Sequence, residues 1–294
     1  MPTPKQAYAV ALRDVARRFI TLDRETAALA LEYLRAMKAR LQLELTTAEA
    51  FNAFRLTELT TAVDRLIVEY EAQLISLTTG AIRDSARLGA LSVVEPLQSA
   101  GLTVGFFQPS PAQLNVVLDF SADLIRGITA ETRKIINSEI KMAALGERST
   151  ISAMQAINDK LGIPSGRKPP ASGIAYRGER IVRTEVGRVF NLSTHSQQLA
   201  TAQSVPGLEK AWLATGDGRT RLTHLIAHGQ QVPVNRPFIV GGAELMYPLD
   251  PAGPPQETIN CRCVMATVHP EIGMVGGPLD ARIGKEVKRR KEAA

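Results

Sequence analysis

The stretch Gly162-Ile-Pro-Ser-Gly-Arg-Lys-Pro-Pro-Ala-Ser-Gly173, continuing to Gly178, separates two regions of different character. Proline fixes φ and removes a backbone donor, and glycine and serine favour turns, so residues 162–178 read as a linker or extended loop. On its N-terminal side, Pro4 to about Leu161 reads as helix. Leu56, Leu59, Val63, Leu66, Ile67, Tyr70 and Leu74 recur at three- and four-residue steps, while Glu58, Asp64, Arg65 and Glu71 fall mostly elsewhere, the pattern of one apolar face turned to a core. The same period runs through Tyr8 to Ile20 and Ala28 to Leu43. Breaks are expected at Thr21-Leu22-Asp23, at Thr46-Thr47 and across Gly101 to Pro111, where Ser110 is placed to cap the next helix. More helix is expected over Leu124 to Leu145, and Ser149-Thr150 reads as the cap of a short helix ending near Leu161.

On the C-terminal side, Glu179 to Gln203 forms a further helix with Ile181, Val182, Val186, Val189 and Phe190 on one face, stopped by Val205-Pro206-Gly207. Lys210 to Thr215 and Cys263 to Val268 read as strands, separated by Gly- and Pro-rich loops around Gly216 to Pro237 and Pro248 to Pro255. The expected fold class is therefore α+β overall, with a mainly α-helical N-terminal half and a small α+β C-terminal domain of few strands and long loops. Its expected parts are a helical domain over 1–161, a linker over 162–178, the small domain over 179–277 and a basic tail over 278–294.

The chain's two cysteines stand one residue apart in Asn260-Cys261-Arg262-Cys263, some forty residues after Asp217, Arg221, His224 and His228. Adjacent-but-one cysteines rarely satisfy disulfide geometry without strain, which makes a shared partner the easier arrangement. Cys2His2 is a zinc donor set, and His-x3-His fits the usual spacing while Cys-x-Cys is shorter than the usual pair. Cys261, Cys263 and His224 are the preferred ligands, with the fourth position open between Asp217 and His228. The alternative is a metal-free network of hydrogen bonds and packed thiols. Nothing flanking these residues resembles a catalytic zinc arrangement with a dedicated general base.

At 294 residues, with 35 Lys+Arg against 29 Asp+Glu and a net charge of +6, the chain is long enough for about two domains and basic enough for weak contact with acidic surfaces. The apolar runs are short and interrupted by charge, so neither a signal peptide nor a membrane span is expected, and two cysteines agree with a reducing cytoplasm. Lys285, Lys288, Arg289, Arg290 and Lys291 crowd the C-terminus. Such a tail can bind nucleic acid phosphates without sequence preference, or be a solvated, frayed terminus.

Arg183-Thr184-Glu185 in a helix, then Lys210-x-Trp212-x-Ala214-Thr215-x-Asp217-x-Arg219-Thr220-Arg221-x2-His224-x4-Gly229, then Glu257-Thr258-Ile259-Asn260-Cys261-Arg262-Cys263, together resemble the phage Mu F-like, or SPP1 gp7-like, head morphogenesis proteins of tailed bacteriophages and prophages. The resemblance covers roughly Glu179 to His269. It implies a minor head protein, present in few copies in the virion and made in the host bacterial cytoplasm. It further implies association with the portal protein at the portal vertex or head interior, contact with scaffold or major capsid protein, and a structural role in procapsid assembly and DNA packaging, retention or delivery. On this reading the protein is not an enzyme, and zinc stabilises a loop-rich unit.

Two further classes remain at the level of sequence. One is a nonspecific DNA-binding protein using the basic tail. The other is an ADP-ribosyltransferase- or nuclease-like enzyme built on Arg183, Glu185, Asp217, His224 and His228, although the sequence offers no phosphate-cradling Gly loop, nucleophile elbow or His-Glu-x2-His helix.

Overall fold

Apolar periodicity becomes four long helices in the computed structural model, which describes residues 2–46, 53–164, 171–272 and 278–292. They are α1 (Pro4–Thr46), α2 (Ala53–Ser99), α3 (Pro111–Ala144) and α5 (Gly173–Ala202), with the short α4 (Thr150–Leu161) before α5. The break expected at Thr21-Leu22-Asp23 does not occur: α1 runs through it. None of these three residues lacks a backbone donor, and their helix penalties are only tenths of a kcal/mol each, which a continuing apolar face overrides. Thr46 does end α1, while Thr47 and linker residues 165–170 lie outside the described residues. Helix α5 begins at Gly173, inside the stretch expected to be linker, because Ile174 and Ala175 extend its buried face toward Val182.

Caps follow the local chemistry. Ser110 and Gln113 form a reciprocal box at the start of α3, Gln113 N donating to Ser110 Oγ at 3.3 Å and Ser110 N to Gln113 Oε1 at 3.0 Å. Ser149 caps α4 by accepting from Ser152 N.

The backbone gathers into two compact units whose boundaries fall inside helices and cut across the linear partition read from composition. One unit comprises residues 24–80 and 116–183. The apolar stripe of α2 is buried here, from Leu59 through Leu74, as are Ile125, Ile128, Ile136 and Ile140 of α3. Arg133 pairs with Asp64, and Arg177 with Glu131.

The other unit comprises residues 1–23, 81–115 and 184–294. In it, α2 and α5 meet through small residues. A Cβ on Gly89 would stand 2.3 Å from the carbonyl oxygen of Phe190, so only glycine permits this approach. Ser85 Oγ donates to Val186 O at 2.6 Å and Ser193 Oγ to Ala86 O at 2.5 Å across the same seam. Strand β1 (Glu209–Leu213) is the centre of a three-stranded antiparallel sheet, between β2 (Gln231–Pro233) and β5 (Val264–Val268). Its register pairs Glu209 with Val268 and Leu213 with Val264. Strands β3 (Phe238–Val240) and β4 (Ala243–Leu245) form a separate hairpin. Short helices α6 (Leu222–Ala227) and α7 (Pro255–Thr258) occupy the loops, and the chain closes with α8 (Pro278–Glu292).

Lys210 of β1 and His195 of α5 are both buried. Lys210 Nζ donates to Met246 O at 2.6 Å and lies 5.0 Å from the Phe238 ring centre. Burial brings its pKa down to about 8, with Asp250 opposing. His195, 5.6 Å from the Tyr247 ring, has no partner for Nδ1 among the described residues. Burial, then the Lys210 charge, lowers its pKa from 6.5 to about 4. Because the unfolded chain binds this proton and the folded chain does not, stability from a neutral His195 is complete above pH 6.5 and is lost as pH falls toward 4. Replacing His195 by Leu is expected to flatten thermal or urea stability across that window, removing a pH-dependent loss on the order of 1–3 kcal/mol; an unchanged pH slope contradicts this.

Candidate metal centre

The central strand sets the site. Trp212 on β1 is fully buried, with its ring edge-on to His224 at 5.6 Å and 89° and to Phe238 at 5.4 Å. Helix α6 carries His224 inward, and Arg221 at its N-cap position donates through Nη2 to Ile259 O at 2.6 Å, tying α6 to the turn before the cysteines. That turn contains Asn260 at φ +58°, a left-handed conformation that Asn tolerates better than most residues. Asn260 N donates to Thr184 Oγ1 at 3.0 Å. Beyond it Cys261 and Cys263 point into the core while Arg262 points out, the alternation of an extended chain.

His224, Cys261 and Cys263 form a buried group whose ligand atoms lie within 4.8 Å of one another. His224 Nδ1 is 3.3 Å from Cys263 Sγ and 3.5 Å from Cys261 Sγ. The opposite ring atom, Nε2, donates to Glu257 Oε2 at 2.9 Å. Both cysteines are free thiols, so the arrangement is not a disulfide. Burial opposes ionisation of Cys261, but its polar contacts with Cys263 and His224 outweigh burial and lower that thiol's pKa. Burial raises Cys263, and the charge on Cys261 raises it further. The pair is thus arranged to carry one thiolate readily. Two sulfurs and an imidazole nitrogen converging in a dry interior fit a borderline or soft metal ion, and these three residues can hold one.

The two residues expected to compete for a fourth position are engaged elsewhere. Asp217 accepts from Arg262 Nη1 at 2.5 Å and Nη2 at 2.7 Å, and also from Arg219 N and Thr220 Oγ1. These bonds, the Arg262 pair first, hold its carboxyl well below the usual range. His228 Nδ1 accepts from Ala214 N at 3.1 Å. Asp217 therefore braces the outer face of the Cys-x-Cys segment through Arg262, and His228 anchors the end of β1. Glu257 and Thr223 are the members that sequence reasoning did not place at the centre. The available signal was a carboxylate four residues before Cys261, since histidines that bind metals usually donate their other N–H to such a group.

The basic C-terminus is a docked helix rather than a frayed tail. Ile283 of α8 is buried in the core cluster that includes Trp212, Cys261 and Cys263, and Val287 packs against it. Arg290 donates to Thr220 O at 2.5 Å and Gly218 O at 2.8 Å, and with Arg289 it engages Glu286. Lys285, Lys288 and Arg289 remain exposed. The side chain of Lys291 lies outside the described residues.

Residues 141–266 match the family model described as "Phage Mu protein F like protein". The chain is also 34% identical over 97 residues to NAD(+)--arginine ADP-ribosyltransferase EFV of Enterococcus faecalis (strain ATCC 700802 / V583), an alignment covering 32% of this chain. The chain thus spans about a fifth of the length of that curated relative, 20% by alignment. No solved structure matches.

Ile283→Ala is expected to destabilise the folded chain by about 2–4 kcal/mol in urea denaturation, as for other buried Ile truncations, whereas Lys288→Ala stays within about 0.5 kcal/mol. Equal small effects from both would mean that α8 is not part of the core.

Proposed function

From the match of residues 141–266 to the phage Mu F-like family model, we propose that the chain is a phage head morphogenesis protein, and more closely a structural minor head protein acting at the portal vertex. In this reading it works in procapsid assembly and in DNA packaging, retention or delivery, as a component of the virion and without enzymatic activity. The family match carries the proposal, since it encloses α6 and the Cys-x-Cys segment. Among the described residues no helix is long and apolar enough to cross a membrane. Co-expression with the portal protein encoded beside it is expected to yield one complex on size exclusion, with extra density on the portal ring by electron microscopy. Two separate peaks would remove the portal assignment.

The metal we assign to the centre is zinc, held by His224 Nδ1, Cys261 and Cys263. When bound it supplies cross-linking, joining α6 to the segment that leads into β5. A ligand that binds only the folded state stabilises it by about 4 kcal/mol at a free concentration a thousandfold above Kd. A chelator is therefore expected to lower the Tm of the wild-type chain and to leave that of Cys263→Ser unchanged. Equal chelator responses would argue for the metal-free network.

The similarity to an ADP-ribosyltransferase gives the enzymatic alternative its one specific support. Against it, the acids and bases such a site needs are already paired: Glu185 with Arg188, Asp217 with Arg262, and His224 with Glu257. No NAD consumption and no arginine modification are expected from the purified chain.

Nonspecific DNA contact falls to the exposed cations of α8. Deleting α8 would also remove Ile283 from the core, so charge reversal is the cleaner test. Lys285→Glu, Lys288→Glu and Arg289→Glu together are expected to weaken duplex binding and reduce the salt slope by up to about 3; unchanged binding would dismiss this surface.

A further inference from the structure

We infer that Glu257 is the positioning residue of the metal centre, fixing which nitrogen of His224 faces the thiols; the role rests on the metal reading above. A carboxylate can only accept, so the 2.9 Å contact between Glu257 Oε2 and His224 Nε2 places the ring proton on Nε2. Nδ1 is then left with its lone pair directed at Cys261 and Cys263, 3.5 and 3.3 Å away. Without that acceptor a neutral imidazole distributes its proton over both nitrogens, and the tautomer with the proton on Nδ1 cannot ligate through that atom.

Glu257 is itself held from three directions. Helix α7 starts after Pro254 with Pro255 in its first turn, which pre-sets the backbone and directs Glu257 inward. Thr223, the residue before His224, donates from Oγ1 to the same Oε2 at 2.8 Å. The other oxygen lies against the tip of the β3–β4 hairpin, where a Cβ on Gly241 would come within 2.5 Å of Oε1. Gly241 has φ +59°, so the tight turn and the close carboxylate make the same demand for glycine. With 8% of its surface exposed, Glu257 is shielded from water, and its Oε2 accepts from Thr223 and His224. A buried carboxylate whose bonds go to the ligating histidine and to that histidine's neighbour is arranged around the imidazole rather than around a salt bridge.

The test is zinc affinity, read by competition with a chromophoric chelator on the full chain, for wild type, Glu257→Ala, Glu257→Gln and Thr223→Val. Glu257→Ala is expected to weaken zinc roughly 10- to 100-fold, the usual effect of losing such a partner. Glu257→Gln, whose amide oxygen still accepts from Nε2–H, restores most of the affinity. Thr223→Val, which leaves the carboxylate in place, gives a smaller loss and serves if Glu257→Ala does not fold. Unfolding of each chain in excess chelator separates positioning from packing, because a positioning role predicts affinity losses beyond any shift in metal-free Tm. Wild type that binds zinc with Glu257→Ala or Thr223→Val unaltered would overturn the role while leaving the metal reading intact. Wild type that binds no zinc would overturn both.

Discussion

One imidazole, buried between a carboxylate and two thiols, sets the terms for the C-terminal part of this chain. His224 is 1% exposed, and everything polar on its ring is answered by a protein atom: Glu257 on one side, Cys261 and Cys263 on the other. A polar ring in such a place costs several kcal/mol unless satisfied, so the segments that satisfy it must arrive together. Helix α6 supplies the ring, α7 the carboxylate and the chain entering β5 the sulfurs. Trp212 on the central strand closes the remaining side. The outward residue between the cysteines, Arg262, carries the same organisation to the surface through its two bonds to Asp217. Arg290 of α8 then takes the carbonyls that flank Arg219.

This arrangement suits a structural component. Two short sheets and the short helices α6 and α7 bury modest apolar area, and the loops between them would otherwise be free to open. Stapling the loops at one internal point gives a rigid unit without a large core. The acids and bases beside it are engaged in holding the staple in place: His224 with Glu257, and Asp217 with Arg262. Rigidity of this kind is what the role proposed above, as a part built into a particle, requires.

How much of this could be read beforehand depended on whether the signal was local. The helices of residues 1–161 were legible because one apolar stripe repeats from Leu56 to Leu74, and the caps at Ser110 and Ser149 follow from their own side chains. The Cys-x-Cys and His224 were legible as rare donors in one segment. Where reading failed, a local rule was overridden or overlooked. Thr21-Leu22-Asp23 resembles a break but contains no residue that forbids helix. The β3–β4 hairpin falls between the two stretches expected to be loop, where no element is expected, although Phe238-Ile239-Val240-Gly241-Gly242-Ala243-Glu244-Leu245 places a Gly-Gly turn between two short apolar strands. Helix α8 was hidden by its charge: Ile283 and Val287 are two apolar positions four apart in a run of Lys and Arg, and only the core they meet makes them informative. Arg219, Arg221 and Arg262 are all candidate partners for Asp217 by sequence, and only the fold selects Arg262.

The most direct test of the account is zinc-edge X-ray absorption on the full chain purified without chelator. The account predicts about one zinc per chain, with sulfur scatterers near 2.3 Å, two in number, and at least one nitrogen near 2.0 Å. A shell of nitrogen and oxygen alone, or a folded chain that carries no metal, would contradict it.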